Sequence, residues 1–397
     1  MTPRLALILL LGIDAILLLS EASSLSLTYH GAKLLYEYEP SSMTRIIQGS
    51  IATLGQNDVA LRLPMIVMNL LSALLLYAIA KPYAKYERER VWLVGIFLLL
   101  PGIISSSLLV DSAALTTLGL FLYLFLRQRY GIKADVMLPL LALADASFMF
   151  LFFGLAVYAL KERTYHSAAL YSLLVAAMLW GYGFKTGGLP QNQFLDTIGL
   201  YAAIFSPIVF VYMVYVLYRR FISSKTDLIW AVSASALVLS LVLSFRQRIE
   251  IEAFAPFLMV ALPLGMQTFY QSYRVRLRPF RKRYRILFTL AMAVLMLNAA
   301  AGVFNKAAYL ILDNPSGYFA YRAHVAKELA AALKKEGVAC AVFQDDPQMQ
   351  LRMRFYGIDR CESAVVSRSP DQNATNVTIS YYNVPVSRYF VTKIPKN

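Results

Sequence analysis

The side chains of this chain best placed to do chemistry are a few charged residues set among long apolar runs. Carboxylates beside hydrocarbon are costly and persist chiefly where they have a task. Asp111 closes one apolar run in Leu108-Leu109-Val110-Asp111-Ser112-Ala113. Proton transfer and simple helix N-capping are both open to a carboxylate there. Asp14 lies inside the first apolar run, where an arginine of another helix would satisfy it structurally. Farther along, the chain reads Ser244-Phe245-Arg246-Gln247-Arg248-Ile249-Glu250-Ile251-Glu252, followed by Ala253-Phe254-Ala255-Pro256. Two guanidinium forks in such a place suit bidentate binding of a phosphate. Pairing with Glu250, Glu252 or lipid headgroups is the competing reading.

The elements that must position these residues are membrane spans. Of the 397 residues 58% are hydrophobic and 15% charged, with a mean hydropathy of +0.55, so the bilayer and not water is the main solvent. The formal net charge of +15 does not point to nucleic acid, because the basic residues sit in short clusters between apolar runs and there report orientation. Apolar runs occur near residues 4–20, 62–80, 91–109, 112–126, 165–184, 197–218, 227–245, 253–270 and 286–303. Residues 134–160 hold another, interrupted by Asp145 and flanked on both sides by arginine and lysine, which predicts a shallow hairpin with Asp145 at its outer tip. The pattern predicts an all-α polytopic membrane protein of about eleven transmembrane helices with a cytoplasmic N-terminus. The first run is read as an uncleaved anchor, although Ser20-Glu21-Ala22 resembles a signal cleavage site. The basic run Arg274, Arg276, Arg278, Arg281, Lys282, Arg283 and Arg285 falls on the inner side, as a topological anchor in preference to a site for anionic headgroups.

Residues 1–303 are expected to form the membrane domain and residues 304–397 a small outer α/β domain. The first outer loop, residues 21–61, is amphipathic: Met43, Ile46, Ile47, Ile51 and Leu54 recur at helical spacing, with Ala32, Leu35 and Tyr36 marking a shorter turn. In the tail, Phe319–Lys335 reads as a helix ending at Gly337. Val338–Phe343, Val377–Tyr382 and Val386–Lys393 read as strands, and Asp346-Pro347 as a cap and first turn. Cys340 and Cys361 are the two cysteines, and a disulfide between them suits an oxidising compartment. Asp371-Gln372-Asn373-Ala374-Thr375 resembles the acidic extended acceptor sequon of bacterial periplasmic N-glycosylation, which would put the tail in the periplasm and Asn373 under a glycan.

The stretch Leu54-Gly55-Gln56-Asn57-Asp58-Val59-Ala60-Leu61-Arg62-Leu63-Pro64 resembles the LG-(N/S)-x-x-x-x-R-L-P segment of glycosyltransferase family 39-like enzymes in the GT-C superfamily. That group includes protein O-mannosyltransferases and lipid A aminoarabinose transferases. Leu100-Pro101 through Asp111 to Leu122-Tyr123 is similar to the third and fourth spans of such enzymes, and Arg248 followed by Pro256 to their polyprenyl-phosphate region. Gln350 to Gly357 resembles the soluble tail of bacterial members. The resemblance implies transfer of a sugar from a polyprenyl-phosphate donor to a lipid, glycan or protein acceptor on the periplasmic face of a bacterial inner membrane. Such a reaction needs a carboxylate to take the acceptor proton and cations to hold the departing phosphate. Arg246, Arg248 and, more weakly, Lys185 suit the second role, and Asp145 is a further substrate-facing candidate.

The first role is where the chain departs from the pattern. Family members carry an acidic pair early in the first loop, and the matching place here reads Thr28-Tyr29-His30-Gly31-Ala32. Glu21, Glu37, His30 and Asp111 are the remaining candidates for proton transfer. A catalytically degenerate relative that binds the lipid carrier as a partner or scaffold subunit is the alternative reading. A transporter fits less well, since the chain has no internal repeat. The cofactor is left open: a divalent cation is one option, and three histidines offer no zinc-type ligand spacing.

Overall fold

The computed structural model describes residues 2–38, 41–183, 193–312, 315–370 and 374–394, with Ser316 and Phe319 described by backbone alone. In chain order the helices are α1 (Pro3–Ser24), α2 (Tyr29–Tyr36), α3 (Ser42–Leu54), α4 (Asp58–Ile79), α5 (Glu87–Leu98) and α6 (Pro101–Leu108). Then come α7 (Ala113–Tyr130), α8 (Leu138–Ala144), α9 (Met149–Lys161), α10 (Tyr165–Tyr182), α11 (Phe194–Phe205) and α12 (Pro207–Ile222). They are followed by α13 (Leu228–Ser244), α14 (Ile251–Met259), α15 (Leu262–Val275) and α16 (Arg278–Val303). The tail holds α17 (Ala326–Lys335), β1 (Val342–Phe343), α18 (Pro347–Phe355), β2 (Ala364–Ser367), β3 (Thr375–Tyr381) and β4 (Val384–Lys393). This is a polytopic helical membrane protein with a small C-terminal α/β part.

Among the described residues, four stretches are long and apolar enough to cross a bilayer: α1, α4, Ile251–Val275 and α16. Two bent pairs raise that to six, α5 with α6 at 59° and α11 with α12 at 107°. Both breaks correct the reading of residues 91–109 and 197–218 as plain spans, and both have a local cause. Pro101 and Pro207 lack the amide that would continue the preceding helix, and Ser206 is held at φ +66°. The block at 134–160 does break at Asp145, whose carboxylate accepts the Ser147 amide at 2.8 Å and caps the turn into α9. Arg127, in the basic flank before this block, is bound to Asp135 at 2.6 Å, with Tyr123 and Tyr171 hydroxyls on the same carboxylate. Five of the seven basic residues at 274–285 stand on the first turns of α16, so the basic run is helical and not a loop.

The chain divides into two compact units. Unit 1 comprises Met1–Ile16, Met65–Ser107 and Ser112–Ala299; unit 2 comprises Leu17–Pro64, Leu108–Asp111 and Ala300–Asn397. Residues 21–61, assigned by sequence to the membrane domain, therefore cluster with the tail. The core of unit 1 is aromatic and aliphatic, built on fully buried Phe97, Phe121, Phe152, Tyr201 and Phe257. Its helices approach closely where a side chain is missing: a Cβ on Gly154 of α9 would come within 2.7 Å of the Val232 Cα of α13.

Unit 2 carries a four-stranded sheet in the order β1-β2-β4-β3, parallel between β1 and β2 and antiparallel elsewhere. Val377, Ile379 and Tyr381 alternate inward along β3 and meet Leu329 and Leu333 of α17 in one core. The helix expected from Phe319 starts only at Ala326, because Val325 at φ +75° interrupts it, and Phe319–Ala323 is a 3-10 turn. β2 and the full length of α18 are additions to the sequence reading; α18 is capped by Asp346, which accepts the Met349 amide at 2.9 Å. Cys340 and Cys361 are joined in a disulfide with Cα atoms 5.4 Å apart.

The first loop and the tail are tied together by buried polar groups. Arg62, 1% exposed, donates from Nε to the Leu108 carbonyl at 2.7 Å, from Nη2 to the Ser26 carbonyl at 2.9 Å, and from Nη1 to the carbonyls of Ala22 and Asp58 at 3.2 Å. Its ion pair is Asp58, at 3.4 Å. The same carboxylate accepts the Tyr356 hydroxyl at 2.8 Å and pairs with Lys327 at 2.9 Å. Arg352, also buried, donates to the carbonyls of Leu27 at 2.6 Å and His324 at 2.7 Å, and burial lowers its pKa. His324 lies between Tyr309 and Asn305, 2.8 Å from each. Burial, with Lys306 and Arg352 nearby, lowers its pKa to about 3, so the folded ring is neutral at pH 7.

Two predictions follow from this polar layer. Removing one member of a buried ion pair costs about 3–5 kcal/mol, so Arg62→Met should destabilise unit 2 by about that much. Arg62→Lys should recover only a small part, since an ammonium cannot reach carbonyls on both sides. Denaturant unfolding followed by proteolytic cleavage in the first loop reads both variants. For His324, the unfolded ring binds a proton below pH 6.5 that the folded ring takes up only near pH 3. Stability should therefore fall as the pH drops through that window, by at most about 1.4 kcal/mol per pH unit. His324→Gln should flatten that dependence in melting curves taken between pH 7 and pH 5.

Candidate active site

In unit 2 the candidate carboxylate Asp111 closes the short segment Leu108–Asp111. Arg62 holds the carbonyl of Leu108, which fixes the chain at the end of α6 just ahead of Asp111. From the other side α2 packs onto Val110: a Cβ on Gly31 would lie 2.9 Å from both the Val110 Cβ and the Leu27 Cδ1. Only glycine permits that approach, and it brings the chain next to His30 against the chain next to Asp111. Asp111 itself is half-buried, and the N-cap position of α7 belongs to Ser112.

The other proton-transfer candidates are placed differently. His30 is exposed in the first turn of α2, which is capped by Thr28 accepting the Gly31 amide at 3.1 Å. Glu37 is exposed at the far end of α2 and pairs with Lys33 at 3.8 Å. Glu21 is half-buried and accepts from Asn305 Nδ2 at 3.2 Å, which joins it to the neutral His324 through the same asparagine. Asp14 has no arginine partner among the described residues, and its Oδ2 is buried without a hydrogen bond, contrary to the ion pair expected from sequence.

The candidate cations belong to unit 1. Arg246 and Arg248 follow the end of α13 and are both exposed. Arg248 lines a hollow of about 450 Å³ together with Gln193, Asp196, Thr197 and Ile249. Among the described residues neither arginine pairs with Glu250 or Glu252, the partners that a purely structural role would supply. Arg248 at this polar hollow, which Asp196 also lines, and the exposed Arg246 near it in sequence are guanidinium groups that can bind an anion. Asp145 serves as a cap inside unit 1. Lys185 and Asn373 lie outside the described residues, and no group of three or more potential metal ligands occurs within them.

Sequence reasoning passed over Asp58, Lys327, Arg352 and Tyr356, the groups that fix the first loop against the tail. Asp58 and Arg62 were visible only as letters of the LGQNDVALRLP stretch. Their main partners are backbone carbonyls, which carry no sequence signal.

No family model matches the chain, and no curated protein sequence is detectably similar to it. Among solved structures, the crystal structure of ArnT from Cupriavidus metallidurans in the apo state is similar with a TM-score of 0.52 at 12% sequence identity, covering 97% of this chain and 97% of that one. A likeness over nearly the full length of both chains shows the fold: this protein shares the polytopic helical architecture of that structure, with a small C-terminal sheet domain.

Proposed function

We propose that the protein is a membrane glycosyltransferase that moves a sugar from a polyprenyl-phosphate donor to a lipid, glycan or protein acceptor on the periplasmic face of a bacterial inner membrane. The observation that carries this reading is the pair Arg246 and Arg248, exposed and in no ion pair among the described residues, in a chain whose fold is similar to that of ArnT. In the proposed step the acceptor oxygen attacks the anomeric carbon, the bond from that carbon to the phosphate oxygen breaks, and the polyprenyl phosphate leaves with the electron pair. Arg246 and Arg248 hold the phosphate as its charge grows. Asp111 takes the acceptor proton. It is preferred over Glu37, which is exposed at the far end of α2, because α2 packs closely onto Val110 beside it.

The test is transfer of radiolabelled sugar from polyprenyl-phosphate donors by the reconstituted protein. Asp111→Asn should lower the rate by about 10²–10⁴, and Arg248→Ala by about 10²–10³, each with an unchanged melting temperature. Glu37→Gln should stay within about twofold of the unaltered protein, as expected of an exposed pair. Full activity in Asp111→Asn would remove Asp111 from the reaction. Saturable donor binding with no transfer from any of several donors would replace the enzyme by a carrier-binding relative.

A further inference from the structure

A second cavity, of about 500 Å³, lies within unit 1 between α5, α12, α15 and α16. Its lining is aliphatic and aromatic, with tyrosine hydroxyls as almost the only polar groups. Along this side α16 stands off from its neighbours and meets them through rings, Phe288 against Trp92 at 5.8 Å and against Phe269 at 5.2 Å.

Three lining tyrosines carry arginines. Arg276 lies over the Tyr284 ring at 4.1 Å and donates to its hydroxyl at 2.8 Å. Arg274 lies 5.8 Å from the Tyr270 ring, and Arg219 donates to the Tyr215 hydroxyl at 3.4 Å. Of these three, only Arg274 has a carboxylate partner among the described residues, Glu89. Arg219 and Arg276 are exposed. A dry pocket with cations gathered at one end matches an amphiphile with an apolar chain and an anionic head. Orientation by inside-positive charge requires only that the arginines stand near the membrane surface, and does not account for guanidinium groups held on the tyrosines of a cavity wall.

We propose that this cavity binds an anionic glycerophospholipid of the surrounding bilayer, with one acyl chain beside α16 and the phosphate at Arg219 and Arg276. The site is separate from Arg246 and Arg248 and does not depend on the glycosyltransferase reading. Native mass spectrometry of the full-length protein in detergent, titrated with phosphatidylglycerol or phosphatidylcholine, tests it. Phosphatidylglycerol should bind saturably and phosphatidylcholine at least about tenfold more weakly, given roughly 1 kcal/mol per basic residue near an anionic headgroup. The double variant Arg219→Gln/Arg276→Gln should abolish that preference. Ala291→Phe, or Leu290→Trp at a more exposed lining position should Ala291→Phe fail to fold, should reduce binding with all charges intact. Equal binding of the two phospholipids, unchanged affinity in the double variant, or displacement of phosphatidylglycerol by equimolar polyprenyl phosphate would each overturn the assignment.

Discussion

The guanidinium of Arg62 is the constraint on which unit 2 depends. A buried charge is tolerable only when its hydrogen bonds are made, and this one makes them to carbonyls at positions 22, 26, 58 and 108. Those positions are the exit of α1, the start of the first loop, the start of α4 and the end of α6. Satisfying one side chain thus dictates where four pieces of backbone run. Asp58 balances the charge and then recruits Lys327 and Tyr356, which extends the same requirement to the tail. Tyr356 closes the arrangement by accepting the Leu27 amide at 2.8 Å while donating to Asp58. Burial beside that carboxylate keeps its hydroxyl protonated far above the usual tyrosine range, so it remains a donor.

Charge balance explains much of the rest. The chain holds 38 lysines and arginines against 23 acids, so its basic residues cannot all find carboxylates. Where a carboxylate is supplied, the arginine is structural: Arg62 with Asp58, Arg127 with Asp135, Arg274 with Glu89. Arg246 and Arg248, and separately Arg219 and Arg276, are not so matched among the described residues. In a membrane the abundant anion left to meet them is phosphate, whether on a substrate or on a lipid. The two groups differ in setting. Arg248 borders a hollow lined with polar groups, whereas Arg219 and Arg276 bind tyrosines that line an apolar one.

Hydropathy made the membrane class legible, and helical periodicity found both amphipathic helices of the first loop, because those signals repeat along the chain. α3 buries Met43 and Ile47 from that pattern and leaves Ile46 and Leu54 exposed. Single-residue events were harder to see. Pro101 and Pro207 announce a break, but whether a break bends the helix slightly or turns it by 107° depends on packing that no local rule contains. Val325 and Ser206 at positive φ are invisible to propensity, since tertiary contacts hold them there. β2 spans only Ala364–Ser367, and its place in the sheet comes from pairing with both β1 and β4. The Arg62 network was hidden because its acceptors are peptide groups, identical at every position of a sequence.

The first-loop stretch Thr28-Tyr29-His30 can be judged against the same geometry. Thr28 caps α2, and an aspartate there could accept the Gly31 amide equally well, so the helix does not require threonine. What α2 does require is Gly31, because Val110 leaves no room for a Cβ. That requirement presses α2 onto the residues beside Asp111 whatever stands at position 28.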